Sequence, residues 1–288
     1  MKKIAFLLLA LGLGFVQGAK AQGGKVFDAK VMKSEILNGD RKFSIYLPEG
    51  YENSERSYPV LYLLHPAGPR GTVPNQQAWI HYGEIKQYLD KAIAQGEIVP
   101  MIVVTPDANS GSHISYYNDA NGKFNFEDFF IKEFVPYIEK TYRVRAEKGA
   151  RAIAGASAGG GGALYYAFHH PEMFTACCGL SAGIREYGDN IRSRFPEMKE
   201  EAVKEWYKQY NMYEAVKNMP ENQKNQFKLY LDCGDDDALA INNALFHDAL
   251  NKAGYQHELR IMDGAHNWTY WRQITPSFMQ FVSKQFKQ

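Results

Sequence analysis

Three kinds of residue, far apart in a chain of 288, carry the chemistry: a serine between glycines, a run of aspartates, and a histidine in a late loop. Ser157 lies in Gly155-Ala156-Ser157-Ala158-Gly159, a G-x-S-x-G match. A short apolar run, Ala152-Ile153-Ala154, precedes it; a helical stretch from Ala163 to His170, closed by Pro171, follows. Strand, tight turn with a central serine, then helix is the context that a nucleophile elbow requires. Glycines two before and two after the serine remove side chains that would clash at so sharp a turn. A second match, Gly179-Leu180-Ser181-Ala182-Gly183, also follows a strand-like run, but the polar stretch behind it does not read as a buried helix. Ser157 is therefore the expected nucleophile, and Ser181 is expected to close the next strand.

A serine hydroxyl needs a base to take its proton, and the base needs an orienting carboxylate. In sheets of this kind the three run Ser, Asp or Glu, His along the chain. The partners should leave the C-terminal ends of later strands, where sites in parallel sheets lie. Asp235, Asp236 and Asp237 follow the strand-like Leu229-Tyr230-Leu231-Asp232-Cys233. Spacing does not choose among the three, and a run of aspartates also caps a following helix. Of the eight histidines, His266 follows the last strand, in Asp263-Gly264-Ala265-His266-Asn267-Trp268, where the base belongs. The amide after the nucleophile, that of Ala158, is one expected oxyanion donor. The second should come from the loop after His65; Pro66 and Pro69 have no N–H, which leaves Ala67. His65, His113, Tyr116 and Trp268 are candidate substrate contacts. No metal-ligand constellation and no cofactor motif is present: Gly159 to Gly162 is followed by no G-K-[ST], so a phosphate loop is a poor reading.

The elements that must hold these residues alternate. Strands are expected at Val26–Ser34, Arg41–Leu47, Val60–Leu64, Ile98–Thr105, before Ser157, at Phe174–Cys178, Phe227–Cys233 and Glu258–Met262. Helices are expected over Trp79–Ala94, Phe126–Tyr142, Ala163–His170, Ala240–Ala253 and Thr275–Phe286. That alternation implies an α/β fold with a mostly parallel sheet and helices on both faces, led by an antiparallel hairpin turning at Asn38-Gly39-Asp40. Residues 184–226 break it: they are charged, strandless, and read as a helical cap insertion. Within them Trp206, Tyr210 and Tyr213 recur at i, i+4 and i+7, the stripe of a helix docking on the body.

Met1-Lys2-Lys3, an apolar run from Ile4 to Val16, and Ala19-Lys20-Ala21 form a signal peptide with cleavage expected before Gln22. The apolar run is too short to span a bilayer. Its removal takes three lysines and shifts the formal charge from +1 to about −2, which gives no support to nucleic-acid or membrane-surface binding. Residues 22–288 suit one domain. Three cysteines, Cys177, Cys178 and Cys233, lie in apolar runs, an odd count that reads as buried small hydrophobes.

In this order the motifs resemble the esterase-D-like branch of the α/β-hydrolases. That branch includes the feruloyl and acetyl xylan esterases of carbohydrate esterase family 1, S-formylglutathione hydrolases, enterochelin-type esterases and mycolyltransferases. The resemblance rests on Tyr46-Leu47-Pro48-Glu49-Gly50-Tyr51, Tyr58 to His65, the elbow, Cys233-Gly234-Asp235-Asp236-Asp237, and Gly264-Ala265-His266-Asn267-Trp268 with Trp271-Arg272. It implies Asp237 as the acid, through the family's C-G-x-x-D. Two departures stand out: the family's His-Gly is His65-Pro66 here, and its methionine after the serine is Ala158. The expectation is a secreted or periplasmic serine carboxylic-ester hydrolase taking a small-molecule or polysaccharide ester, such as feruloyl or acetyl groups on plant polysaccharide. The alternatives are a siderophore-lactone or thioester hydrolase of the same fold, and a non-catalytic glycan-binding relative.

Overall fold

The computed structural model describes residues 23–68, 73–184 and 188–287. The expected signal peptide, Pro69 and part of the polar stretch after Ser181 lie outside them. Eight strands form one sheet: β1 (Lys25–Ser34), β2 (Gly39–Leu47), β3 (Val60–Leu64), β4 (Ile102–Pro106), β5 (Arg151–Ala156), β6 (Ala176–Leu180), β7 (Lys228–Gly234) and β8 (His257–Met262). Their order is β1-β2-β4-β3-β5-β6-β7-β8. β1 and β2 pair antiparallel, as do β2 and β4; from β4 to β8 every pairing is parallel. This is the α/β-hydrolase architecture.

Parallel strands covered on both faces lose their polar side chains. All five residues of β3 are buried, and their alternation feeds two cores. Tyr62 and Leu64 pack with Phe130, Phe134, Leu164 and Phe246 on one face; Leu61 and Leu63 pack with Leu89, Ile274 and Phe278 on the other. The second face is covered by α1 (Ile85–Ala94) and α7 (Trp268–Gln285). The first is covered by α2 (Val135–Thr141), α3 (Ala158–His169) and α6 (Ala240–Lys252). The three cysteines are free and buried. Among the described residues no helix is long and apolar enough to cross a membrane.

Several boundaries differ from the sequence reading for local reasons. The helix expected over Trp79–Ala94 breaks at Gly83, whose backbone presses on Trp79, and restarts after Glu84 in a left-handed conformation (φ 52°). The one expected over Phe126–Tyr142 passes through a π-helical turn, Phe130–Phe134, where the Val135 amide reaches back to the Phe130 carbonyl. Pro136 follows at once and has no N–H to continue the ladder. β4 starts at Ile102, past Pro100, and the last helix starts at Trp268 and runs through Pro276.

Between β6 and β7 the described residues hold helices only: Asp189–Arg192, α4 (Glu200–Lys208), α5 (Met212–Asn218) and a 3-10 turn at Glu221–Gln223. The aromatic stripe spans two helices rather than one. Trp206 Nε1 and the Tyr210 hydroxyl both donate to the Asn118 carbonyl, at 2.8 and 3.1 Å, and Tyr210 packs on Tyr117 and Tyr165. The stripe thus ties this segment to the long loop after β4.

Candidate active site

β5 delivers Ser157 directly onto the first turn of α3. The serine backbone sits at φ 56°, ψ −119°, a region that costs a non-glycine residue about 1–3 kcal/mol. Its neighbours hold it there: the Ser157 amide donates to the Leu180 carbonyl (2.9 Å), and its carbonyl accepts from Gly161 (3.0 Å) and Gly183 (2.8 Å). The flanking glycines are required by close approach. A Cβ on Gly155 would lie 2.3 Å from the Gly159 carbonyl oxygen, and one on Gly159 would lie 2.5 Å from that of Leu64. Gly162 in turn lies against the Tyr116 ring. The glycine run therefore serves packing, helix against strand end.

His266, in the loop after β8, brings Nε2 to 2.8 Å from Ser157 Oγ. Its Nδ1 lies 2.8 Å from Asp237 Oδ2 and 3.0 Å from Oδ1. The Asp237 side chain is fully buried, and its Oδ1 also accepts from the Leu239 amide (2.7 Å). That pairing leaves Nε2 unprotonated and facing the hydroxyl, the tautomer a general base needs. The other two aspartates do different things. Asp235 Oδ1 accepts from the Gly264 amide at 3.0 Å, pinning the histidine loop, and the Asp236 amide donates to the Gly264 carbonyl (3.0 Å). Gly264 fits there because its carbonyl nests over Gly234 and its own α-carbon rests on the Tyr270 ring.

Below the histidine, Trp271 meets the imidazole edge to face (centroids 5.1 Å, 81°). Its Nε1 donates to Ser181 Oγ at 3.1 Å. The serine of the second G-x-S-x-G is fully buried and supports the site from behind. The Cys233 thiol, near Ser181 and Asp237, is pushed up to about 12, chiefly by burial, and so stays protonated. Asp232 is buried as well; burial raises its pKa, while the Tyr230 hydroxyl (2.7 Å) and that of Tyr270 donate to it.

The Ala158 amide is in the first turn of α3 and so has no acceptor within the helix. Ala67 and Ala158 both line a cleft of about 670 Å³. A smaller hollow of about 240 Å³ adjoins it, lined by His266, Trp268, Trp271, Tyr82 and Pro66. Ala67, Gly68, Val73 and Asn75 wall both, so the two are arms of one depression, with Ala158 in the larger and His266 in the smaller.

Two of the candidate substrate contacts are corrected. His65 is fully buried: its Nδ1 meets the Pro66 carbonyl at 2.9 Å and its Nε2 accepts from the Ala108 amide at 3.1 Å. Burial lowers its pKa, so the ring stays neutral and braces the loop. Tyr116 is 1% exposed and donates to the His65 carbonyl (2.7 Å). Both lie behind the cleft: His65 where the chain turns inward on leaving β3, and Tyr116 where the loop after β4 packs against it. His113 does line the larger arm, its Nε2 held 3.3 Å from the buried Asp119, and Trp268 lines the smaller. Lys42, Gln76 and Arg194 also line the larger arm. Sequence reading missed them: they come from a strand, a 3-10 turn and the insertion, and no motif links them.

Residues 34–278 match the family described as "Putative esterase". The chain belongs to this esterase family. A solved ferulic acid esterase is 34% identical to this family member, with a TM-score of 0.80 over 92% of this chain and 99% of that one. An endo-1,4-beta-xylanase/feruloyl esterase of Xylanibacter ruminicola is 30% identical over 87% of this chain. This esterase-family chain spans about 30% of that relative's length. An S-formylglutathione hydrolase of Agrobacterium tumefaciens shares the fold at 17% identity, with a TM-score of 0.74 over 93% of this chain and 98% of its own.

Proposed function

We propose that the protein is a serine carboxylic-ester hydrolase that works through an acyl-enzyme. Ser157 Oγ attacks the ester carbonyl and passes its proton to His266 Nε2, while Asp237 stabilises the imidazolium that forms. The carbonyl oxygen, now an oxyanion, is taken by the amides of Ala158 and Ala67. His266 gives the proton to the departing alcohol, then draws one from water as water attacks the acyl-serine. Ser157 is regenerated and the acid leaves. The observation that carries this reading is the 2.8 Å approach of His266 Nε2 to a serine hydroxyl on a strained backbone.

Feruloyl and acetyl groups on plant polysaccharide are the proposed targets, acted on outside the cytoplasm after removal of the N-terminal leader. The names of the feruloyl-esterase relatives support the first part. So does the smaller arm, whose tryptophan and tyrosine walls suit an aromatic acyl group. The test is labelling by a fluorophosphonate with hydrolysis of methyl ferulate. Both are expected in the wild type and neither in Ser157→Ala. A chain that labels with nothing and hydrolyses nothing would instead be a binding protein on a hydrolase scaffold.

A further inference from the structure

The larger arm of the cleft differs in character from the smaller. Its lining includes Asn75, Gln76, Asn109 and His113. The Gln76 residue is 1% exposed, and among the described residues neither its amide nitrogen nor its amide oxygen has a hydrogen-bond partner. A buried amide with both ends unmet is costly, and a ligand offering a donor and an acceptor relieves it. Adjacent hydroxyls of a sugar offer that pair, once the side chain turns toward the cleft.

The charges in the arm do not balance. Asp107 is already engaged: it accepts from the Asn109 amide (3.0 Å) and Asn75 Nδ2 (3.4 Å), and the Arg41 guanidinium, bonded to its carbonyl, lies beside it. His113 is paired with Asp119. Lys42, from β2, and Arg194, from the segment between β6 and β7, line the arm with no ion-pair partner among the described residues. Two uncompensated cations in a concave wall concentrate positive potential inside it. The volume, about 670 Å³, lies in the range that holds small organic ligands.

We propose that this arm binds an acidic sugar, a uronic acid unit on the alcohol side of the ester, with Arg194 and Lys42 facing its carboxylate and Gln76 its hydroxyls. This rests on the ester-hydrolase reading above and adds the substrate's charge. The guanidinium takes a carboxylate through two parallel N–H···O bonds, which sets orientation as well as attraction.

The experiment compares two feruloylated oligosaccharides that differ only by a uronic acid residue. The wild type is expected to favour the acidic one in kcat/KM by about tenfold, the value of one charge-assisted hydrogen bond. The preference should shrink toward one in about 0.5 M sodium chloride, where exposed charges are screened. Arg194→Gln should bring the ratio toward one through KM on the acidic substrate, and Arg194→Glu should invert it. A wild-type ratio of one or below, or a ratio untouched by both variants, would overturn the proposal while leaving ester hydrolysis intact. Failure of the wild type on both oligosaccharides and on methyl ferulate would count against the hydrolase reading itself.

Discussion

Replacing Asp237 by Asn tests the site at its most buried point. The change keeps the size of the side chain and removes one charge beside the His266 Nδ1, 2.8 Å away. At that distance, with an effective dielectric constant of about 20, opposite unit charges attract by ~6 kcal/mol. The His266 side chain is 33% exposed, so solvent screens part of that. About 4–5 kcal/mol remains, or about 10³–10⁴ in kcat. The amide also presents a donor to Nδ1, which favours the tautomer with the proton on Nε2, where it can no longer accept from Ser157. The assay is steady-state turnover of p-nitrophenyl acetate from pH 6 to 9, with thermal melts to confirm folding. Asp235→Asn, which loosens the Gly264 amide instead, should cost at most about tenfold, because no charge next to the imidazole is lost. A folded Asp237→Asn retaining more than a tenth of wild-type kcat would refute the assignment, most plainly if Asp235→Asn were the slower of the two.

Two further outcomes follow from packing and burial. Gly159→Ala would push a methyl to 2.5 Å from the Leu64 carbonyl and 2.7 Å from that of His65, both backbone atoms. A loss of about 2–3 kcal/mol is expected, read as a melting point lowered by about 5–10 °C; a shift under about 2 °C would mean that the helix does not sit so close. His65 has its pKa lowered by burial, so its neutral form contributes stability above its unfolded value of about 6.5 and that contribution is lost as the pH falls toward the lowered folded value. His65→Gln should therefore flatten the fall in urea midpoint between pH 7 and 5, though not abolish it, since burial lowers His169 and His257 too. An unchanged slope would show that His65 is not among the groups that charge on acid unfolding.

Much of this arrangement was legible because it is local or ordered along the chain. Glycines at 155 and 159 around a serine, after one apolar run and before another, spell out the turn without any tertiary information. The five apolar residues of β3 likewise announce a strand covered on both sides. The late histidine loop could be read because chain order narrows eight histidines to the three after the aspartates, and only His266 of these lies in a loop after the last strand. What depends on how elements meet was not legible. His65 follows β3 and Tyr116 lies in the loop after β4, and only the packing of these two segments on each other buries them. The choice among three adjacent aspartates turns on which carboxylate points under the imidazole, a matter of side-chain direction that spacing does not carry. Lys42, Gln76 and Arg194 line one cleft from positions 34 to 152 residues apart, with no shared period to betray them.

The four glycines that open α3 have a consequence for how the molecule assembles. Each weakens a helix by about 1 kcal/mol relative to alanine, so this first turn has almost no tendency to form by itself. Contacts from β3, from Tyr116 and from the chain just after β6 must supply what the local sequence withholds. During refolding the reactive corner is thus expected to be among the last parts to take shape, with ester turnover returning after the circular-dichroism signal of the sheet.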